Sequence, residues 1–389
     1  MTGRDPGEAH RTSTPLELLF DLCFVVGVAQ AAAQLHHGLA TDHVRHAVAG
    51  FLVVFFAIWW AWLNFTWFAS AYDTDDVTYR LLTFVQIVGV LILATGISDA
   101  FNGGFRVITA GYVVMRIALT MQWLRAALGD VARRRNALRY AGSLAVIQVG
   151  WVASLFLPAS WRYFTFLALA LAELAGPYWA EHTGDMTQWH PQHIAERYGL
   201  FTIIVLGECI LAAFVAIDAA RTAHGTSADL VVLAGAGLVS IFGLWWSYFR
   251  LSAEKLLESR SPLVFVWGYG HYLLFASIAA LGAGIATVAD FSARGLRAET
   301  RGDLSSTGRA LAIAVPVAAT LLLLALMRPL IEGKARRLDL VAYASVPLVL
   351  LAGLLAGAIG VDASVCAIAA IVVGRVVFDE MIVESANDR

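Results

Sequence analysis

Residues 197–217 read RYGLFTIIVLGECILAAFVAI, an apolar run long enough to cross a bilayer, with one acid, Glu208, placed halfway along it. About 20 residues of helix span the roughly 30 Å of hydrocarbon, and Glu208 lies about 15 Å beyond Tyr198 on that reckoning. The run therefore predicts a membrane helix that carries a titratable group near the midplane. An unpaired ion there costs several kcal/mol, so Glu208 must be protonated, paired or wet. Its neighbour Gly207 offers a gap for another helix or a ligand.

Stretches of the same kind recur throughout the 389 residues, of which 59% are hydrophobic and only 14% charged. With a mean hydropathy of +0.71, this composition describes a polytopic membrane protein. The runs are too long and too little alternating for barrel strands, so closed helices are expected. The fold class is all-α: a transmembrane helical bundle of about 12 spans, with 10 or 11 also compatible. The predicted spans are 16–35, 47–69, 81–98, 106–125, 140–157, 161–179, 197–217, 230–250, 263–288, 309–327, 340–359 and 362–380. Residues 1–15 then form a cytoplasmic N-terminal segment, 16–180 a first half of six spans, and 181–196 a cytoplasmic linker and helix start. Residues 197–380 form a second half, and 381–389 a tail.

Basic residues orient this map. Seventeen Lys and Arg fall at the N-terminus or after even-numbered spans and eight on the opposite side, which places both termini in the cytoplasm. The longest connection, 289–309, runs against the trend. The first sixteen residues lack the apolar core and cleavage pattern of a removable signal, so the first span is expected to be retained. Two six-helix pseudo-repeats are a further expectation. The Trp59-Trp60 pair in FAIWWAWLNF has an echo in Trp245-Trp246 of FGLWWSYFRL, and Glu17 and Glu196 stand at similar points before spans 1 and 7.

Several more polar groups fall within or against the apolar runs. In PLELLFDLCFVV, Glu17 and Asp21 share one helical face. Pro15 is suited to open that helix, with Ser13 or Thr14 as cap. Arg116 in GYVVMRIALTMQW is too central to snorkel, and its candidate partners are Asp21, Glu208 and Glu173 of LALAELAGPYW. His271 in WGYGHYLLF is either a proton relay or a hydrogen-bonded core histidine. Asn64 is suited to bridge helices. Arg375 and Asp379 share a face at the end of the last span, beside Glu380. The acidic SAYDTDD following span 2 reads as a solvated loop with cap residues.

In HTGDMTQWHPQHIAER, His190, His193 and Glu196 recur every three residues, with His182 and Asp185 close by. This is the one metal candidate, although its spacing matches neither structural zinc patterns nor His-Glu-x-x-His. Cys23, Cys209 and Cys366 sit in apolar runs and read as small hydrophobes. Nucleotide loops, Ser-His-Asp order and redox Cys pairs are not found, so no cofactor is expected. LAGAGL and LGAGIA lie inside spans, where small residues serve packing. The net charge of -2 gives no footing for nucleic acid.

Together, TPLELLFDLCFVV and HIAERYGLFTIIVLGE resemble the low temperature requirement protein A (LtrA) family of bacterial membrane proteins, and the likeness runs over most of the chain. The matching residues are Glu17, Phe20, Asp21 and Phe24 in the first motif, and His193, Glu196, Arg197, Leu200, Gly207 and Glu208 in the second. The resemblance implies an integral membrane location and brings no substrate.

The leading function is a transporter or ion-coupled permease. Glu208 is its protonation or ion site, assisted by Asp21 and Arg116, with Glu173, Glu17 and His271 as further polar positions. Its partners are membrane lipids and an unidentified small molecule or ion, proton-coupled in this reading; the oligomeric state is open. A receptor, assembly or cold-adaptation protein with purely structural polar groups is the alternative. A membrane enzyme acting on a lipid-linked substrate is a third.

Overall fold

The computed structural model describes residues 1–5, 7–8, 11–41, 43–182, 187–294, 304–332 and 337–387. Asp185 and the middle of the 289–309 connection lie outside them. The elements among the described residues are helices: α1 (Pro15–Ala40), α2 (Val44–Tyr72), α3 (Val77–Thr95), α4 (Ile97–Phe101), α5 (Arg106–Gly129), α6 (Arg134–Ser154) and α7 (Arg162–Glu181) come first. They are followed by α8 (Pro191–His224), α9 (Ala228–Phe249), α10 (Glu254–Glu258), α11 (Leu263–Arg294), α12 (Ser306–Glu332), α13 (Arg337–Leu354), α14 (Ala356–Ile359) and α15 (Val361–Asn387).

Among the described residues, nine helical stretches are long and apolar enough to cross a membrane: Pro15–Ala40, Val44–Tyr72, Val77–Thr95, Arg106–Gly129, Pro191–Ala223, Ala228–Glu258, Leu263–Ser292, Ser306–Glu332 and Val361–Ile382. The expected spans 140–157, 161–179 and 340–359 correspond to α6, α7 and α13, which fall short in apolar character or in length. Arg134, Arg135 and Arg139 at the start of α6 and the exposed Pro158 turn show why. Large apolar side chains stand exposed along the spans, Leu22, Leu81, Val88, Phe214 and Val266 among them. Such faces suit lipid, which hydrates no apolar surface.

Local chemistry sets the helix ends. Thr14 and Glu17 form a reciprocal capping box at α1, the Thr14 N–H donating to Glu17 Oε2 at 2.8 Å and the Glu17 N–H to Thr14 Oγ1 at 3.3 Å. Pro15 and Pro191 occupy the first positions of α1 and α8. Asp76 caps α3 through the Tyr79 N–H at 2.8 Å, and Ser227 caps α9 through Leu230.

The chain groups into two compact units, Met1–Gly27 with Phe56–Tyr198, and Val28–Phe55 with Gly199–Arg389. Residues 28–55 thereby group with the second unit. In the first unit α3 and α5 pack at Gly89 and Gly111; a methyl on Gly111 would strike the Leu93 backbone, so the contact needs glycine. In the second, a methyl on Gly282 would lie 2.9 Å from Cys209 Cα, which marks where α11 and α8 touch. The tryptophan echo does not extend to surroundings: Trp59 and Trp60 are buried, whereas Trp245 and Trp246 are 44% and 49% exposed.

Candidate functional site

Three helices of the first unit each contribute two residues one turn apart to a fully enclosed ionic network. They are Glu17 and Asp21 on α1, Trp62 and Thr66 on α2, and His193 and Arg197 on α8. Arg197 Nη1 stands 3.1 Å from Glu17 Oε1, its Nη2 bonds Asp21 Oδ1, and Nη2 also reaches Thr66 Oγ1 at 3.4 Å. Trp62 Nε1 donates to the same Asp21 oxygen at 2.8 Å. His193 Nε2 meets the Glu17 carboxylate at 3.2 Å, so the Nε2–H tautomer is the one that bonds it. Two carboxyl groups thus share one guanidinium. Burial is tolerable only because every ion has a direct partner.

The base of this unit is closed by the N-terminal segment. The Arg4 N–H donates to the Ala71 carbonyl at 2.9 Å. Arg11 bonds the Ser70 carbonyl and, at 2.8 Å, that of Ala69. Asp73 lies buried just past the end of α2, with Arg4 Nη1 at 3.9 Å. Burial first, and then the Glu17 charge, push its carboxyl up to about 6, against the pull of the Asp75 N–H, Arg4 and Arg11. Burial and the neighbouring Arg4 lower the Arg11 guanidinium. SAYDTDD is thus not a merely solvated loop. Asp75 pairs with Arg80 at 2.6 Å, and Asp76 with Arg125 at 2.9 Å, which holds the Asp76 carboxyl below the usual range.

His190, His193 and Glu196 do not gather. At about 60° between successive members, His190 and Glu196 stand about 120° apart around the helix axis, and each bonds elsewhere: His190 Nε2 donates to the Glu8 carbonyl at 2.9 Å, while its Nδ1 accepts the His193 N–H. Glu196 accepts the Ser13 N–H at 3.3 Å. Among the described residues no group of three or more His, Cys, Asp or Glu is arranged to hold a metal.

Arg116 resolves differently from Arg197. Of its three candidate partners it takes Glu173, at 2.9 Å, and both residues are buried. Trp60 Nε1 donates to Glu173 Oε2 at 2.8 Å and Trp151 Nε1 to Oε1 at 3.1 Å. Arg116 also donates to Tyr112 Oη at 3.1 Å and lies over that ring. Both oxygens of Glu173 are thereby occupied, and the network ties α2, α5, α6 and α7 together. Asn64 bonds the Trp60 carbonyl of its own helix at 2.7 Å instead of bridging helices.

In the second unit Glu208 is only 6% exposed, yet its Oε2 is buried with no hydrogen-bond partner, and it makes no ion pair among the described residues. The α8 face beside it, Phe201, Val205 and Cys209, packs on α11 at Phe275 and Gly282. Gly207 is exposed, and a methyl there would meet nothing within 4 Å among the described residues, so the close approach is made at Gly282. His271 is a satisfied core histidine. Its Nδ1–H donates to the Trp267 carbonyl at 2.7 Å, and Nε2 accepts from Tyr248 Oη at 3.2 Å. Cys209 is buried and Cys366 exposed, and all three cysteines are free.

The residues that sequence reasoning missed are chiefly Trp60, Trp62, Thr66 and Trp151, with Arg197 recognised in the motif but not as the partner of Asp21. Two signals pointed to them. His193 and Arg197 repeat the four-residue spacing of Glu17 and Asp21, and a buried indole N–H needs an acceptor.

Comparison with known proteins agrees with the motifs that form the network. The family described as bacterial low temperature requirement A protein (LtrA) matches residues 12–377. The uncharacterized protein RA0937 of Rhizobium meliloti (strain 1021) is 27% identical over 277 residues. That match covers 67% of this chain and 66% of the relative, slightly under two thirds of its length. With the family's match extending from the strand of residues before α1 into α15, and both acidic motifs inside it, this chain belongs to the LtrA family.

Proposed function

We propose that this protein is a secondary transporter or ion-coupled permease of the bacterial inner membrane, with both termini cytoplasmic and Glu208 as its protonation or ion site. The observation that carries the reading is the Glu208 carboxyl itself: enclosed in an apolar helix, with one oxygen unbonded and no cation paired to it among the described residues. A carboxyl in that setting gains from a proton or a metal cation and loses when left bare, which is the property a coupling group needs. Asp21 serves separately, bonded by Arg197 and Trp62 within the first unit. Arg116 has no part in the coupling step, since Glu173 already occupies it.

One observation favours the second reading, a receptor or assembly protein whose polar groups fix helix pairing. The Arg116–Glu173 network has both carboxylate oxygens bonded and offers no open acceptor. Both roles coexist if the first unit is built on glue and the second carries the exchangeable site.

The test uses proteoliposomes that enclose a pH-sensitive dye, with potassium, sodium, magnesium, amino acids and organic acids added singly under an imposed proton gradient. At least one compound is expected to move protons with the unaltered protein and not with Glu208→Gln of equal folded yield. Equal proton movement in the two proteins would remove Glu208 from the coupling step.

A further inference from the structure

In the second unit, the end of α9, the last turns of α12 and the middle of α15 bring together three arginines and one buried carboxylate. Arg250 caps the end of α9, Arg328 lies in the last turns of α12, and Arg375 and Asp379 share a face of α15. Arg328 is 4% exposed, Arg375 5% and Asp379 4%.

The pairing here is loose. Asp379 Oδ2 is shared by Arg328 Nη2 at 3.5 Å and Arg250 Nη1 at 3.9 Å. Arg250 also stands 3.4 Å from Glu380 Oε1, and Arg328 Nε 3.5 Å from Glu332 Oε1. Charge-assisted hydrogen bonds run about 2.7–2.9 Å, and Arg116 with Glu173 meets that standard at 2.9 Å. The one short contact in the cluster is from Arg250 Nη2 to the Asp379 backbone carbonyl, at 2.6 Å. Glu380 and Glu332 are 39% and 31% exposed on their side chains, so water screens them, and Glu380 already accepts Trp246 Nε1 at 2.9 Å.

Arg375 is the anomaly. It lies within electrostatic reach of Asp379, Arg328 and Arg250, yet Nε and Nη1 are buried with no hydrogen-bond partner among the described residues. Arg250 Nη1 and Arg328 Nε and Nη1 are in the same condition. Helix C-terminal dipoles favour cations at the ends of α9 and α12, which suits Arg250 and Arg328. It does not explain why buried donors stay unbonded, a rare and costly state. An oxyanion with three or four acceptor oxygens would satisfy several of these donors together, and the planar guanidinium fork suits tetrahedral phosphate in particular.

We propose that Arg250, Arg328 and Arg375 form a binding site for a phosphate-class oxyanion beside Asp379. Asp379 acts as the internal competitor that holds the arginines in place when the anion is gone. The ends of α9 and α12 fall on the side assigned to the cytoplasm by the basic residues, so the oxyanion comes either from an anionic lipid head group or from free phosphate. The site is independent of Glu208 and of the transport reading.

Thermal unfolding of the full-length protein in a non-ionic detergent tests this. One arm titrates inorganic phosphate against chloride at constant ionic strength. The other titrates short-chain phosphatidic acid against a short-chain neutral diacylglycerol. A saturable rise in Tm with phosphate alone assigns the site to a free anion, and a rise with phosphatidic acid supports a head group as well. Arg375→Gln is expected to abolish the rise. Asp379→Asn, which removes the competitor and keeps the volume, is expected to tighten binding by about tenfold, the equivalent of 1.4 kcal/mol. No rise in either arm, an undiminished rise in Arg375→Gln, or unchanged affinity in Asp379→Asn would each overturn the proposal.

Discussion

Asp73 stands just past the last residue of α2, close enough to Glu17 to feel its charge and too enclosed to be relieved of it by water. Its carboxyl is pushed up to about 6 in the folded chain, whereas an unfolded aspartate titrates near 3.9. Between these values the native state holds a proton that the unfolded state has lost. Stability attributable to this group is therefore present below about pH 4 and is lost as pH rises through 6. Asp73→Asn removes that titration and keeps an acceptor for the Asp75 N–H, now 3.0 Å from Oδ1. Relative to the unaltered protein, the variant should gain on the order of 1–3 kcal/mol between pH 4 and pH 7. Thermal unfolding of both proteins across that range reads the difference, and a gap that stays constant with pH would mean Asp73 titrates normally. The neighbouring Thr14 and Glu17 show how far single residues were legible: Ser13 or Thr14 was expected as cap, and Thr14 fills the place. Arg197 was less so. Taken as the edge of a span beginning at 197, it reads as a surface cation, but α8 starts at Pro191 and carries Arg197 almost two turns inside.

At the level of helices, buried polar contacts hold the first unit together where lipid gives no hydrophobic drive for association. The Arg116–Glu173 pair joins α5 to α7, and its two indole donors bring in α2 and α6. Arg116→Met or Glu173→Leu alone leaves one buried ion without its partner, at a cost of about 3–5 kcal/mol. The double change removes both ions and should recover most of the loss, because desolvation no longer has to be offset. A double-mutant cycle on thermal unfolding measures this, and strictly additive losses would mean the two residues do not act as a pair. Glu173 was one of three partners open to Arg116 in the sequence. The choice was not legible there, since one of the two tryptophans that select Glu173, Trp60 on α2, lies 113 residues away in the chain.

For the molecule as a whole, the number of crossings fixes which side of the membrane each end occupies. Nine stretches qualify as spans among the described residues, and α6, α7 and α13 are the helices that change the parity. The distribution of basic residues favours an even number with both ends in the cytoplasm. A reporter active only in the cytoplasm, joined after Arg389, is accordingly expected to be active; silence at equal expression would favour an odd number such as nine.

Sequence alone determined that this chain is a bundle of membrane helices, and its two acidic motifs, both inside the family's match, were read there too. Transfer from water to lipid is summed over about 20 neighbouring residues, so it is written locally and can be read locally. Only the tertiary structure decided that Asp21 belongs to Arg197, 176 residues away, that Arg116 belongs to Glu173, and that His190, His193 and Glu196 part company. Ion pairing depends on which helix faces meet, and many pairings satisfy the same hydropathy pattern. The cost of a buried charge says that a partner must exist; packing says which one it is.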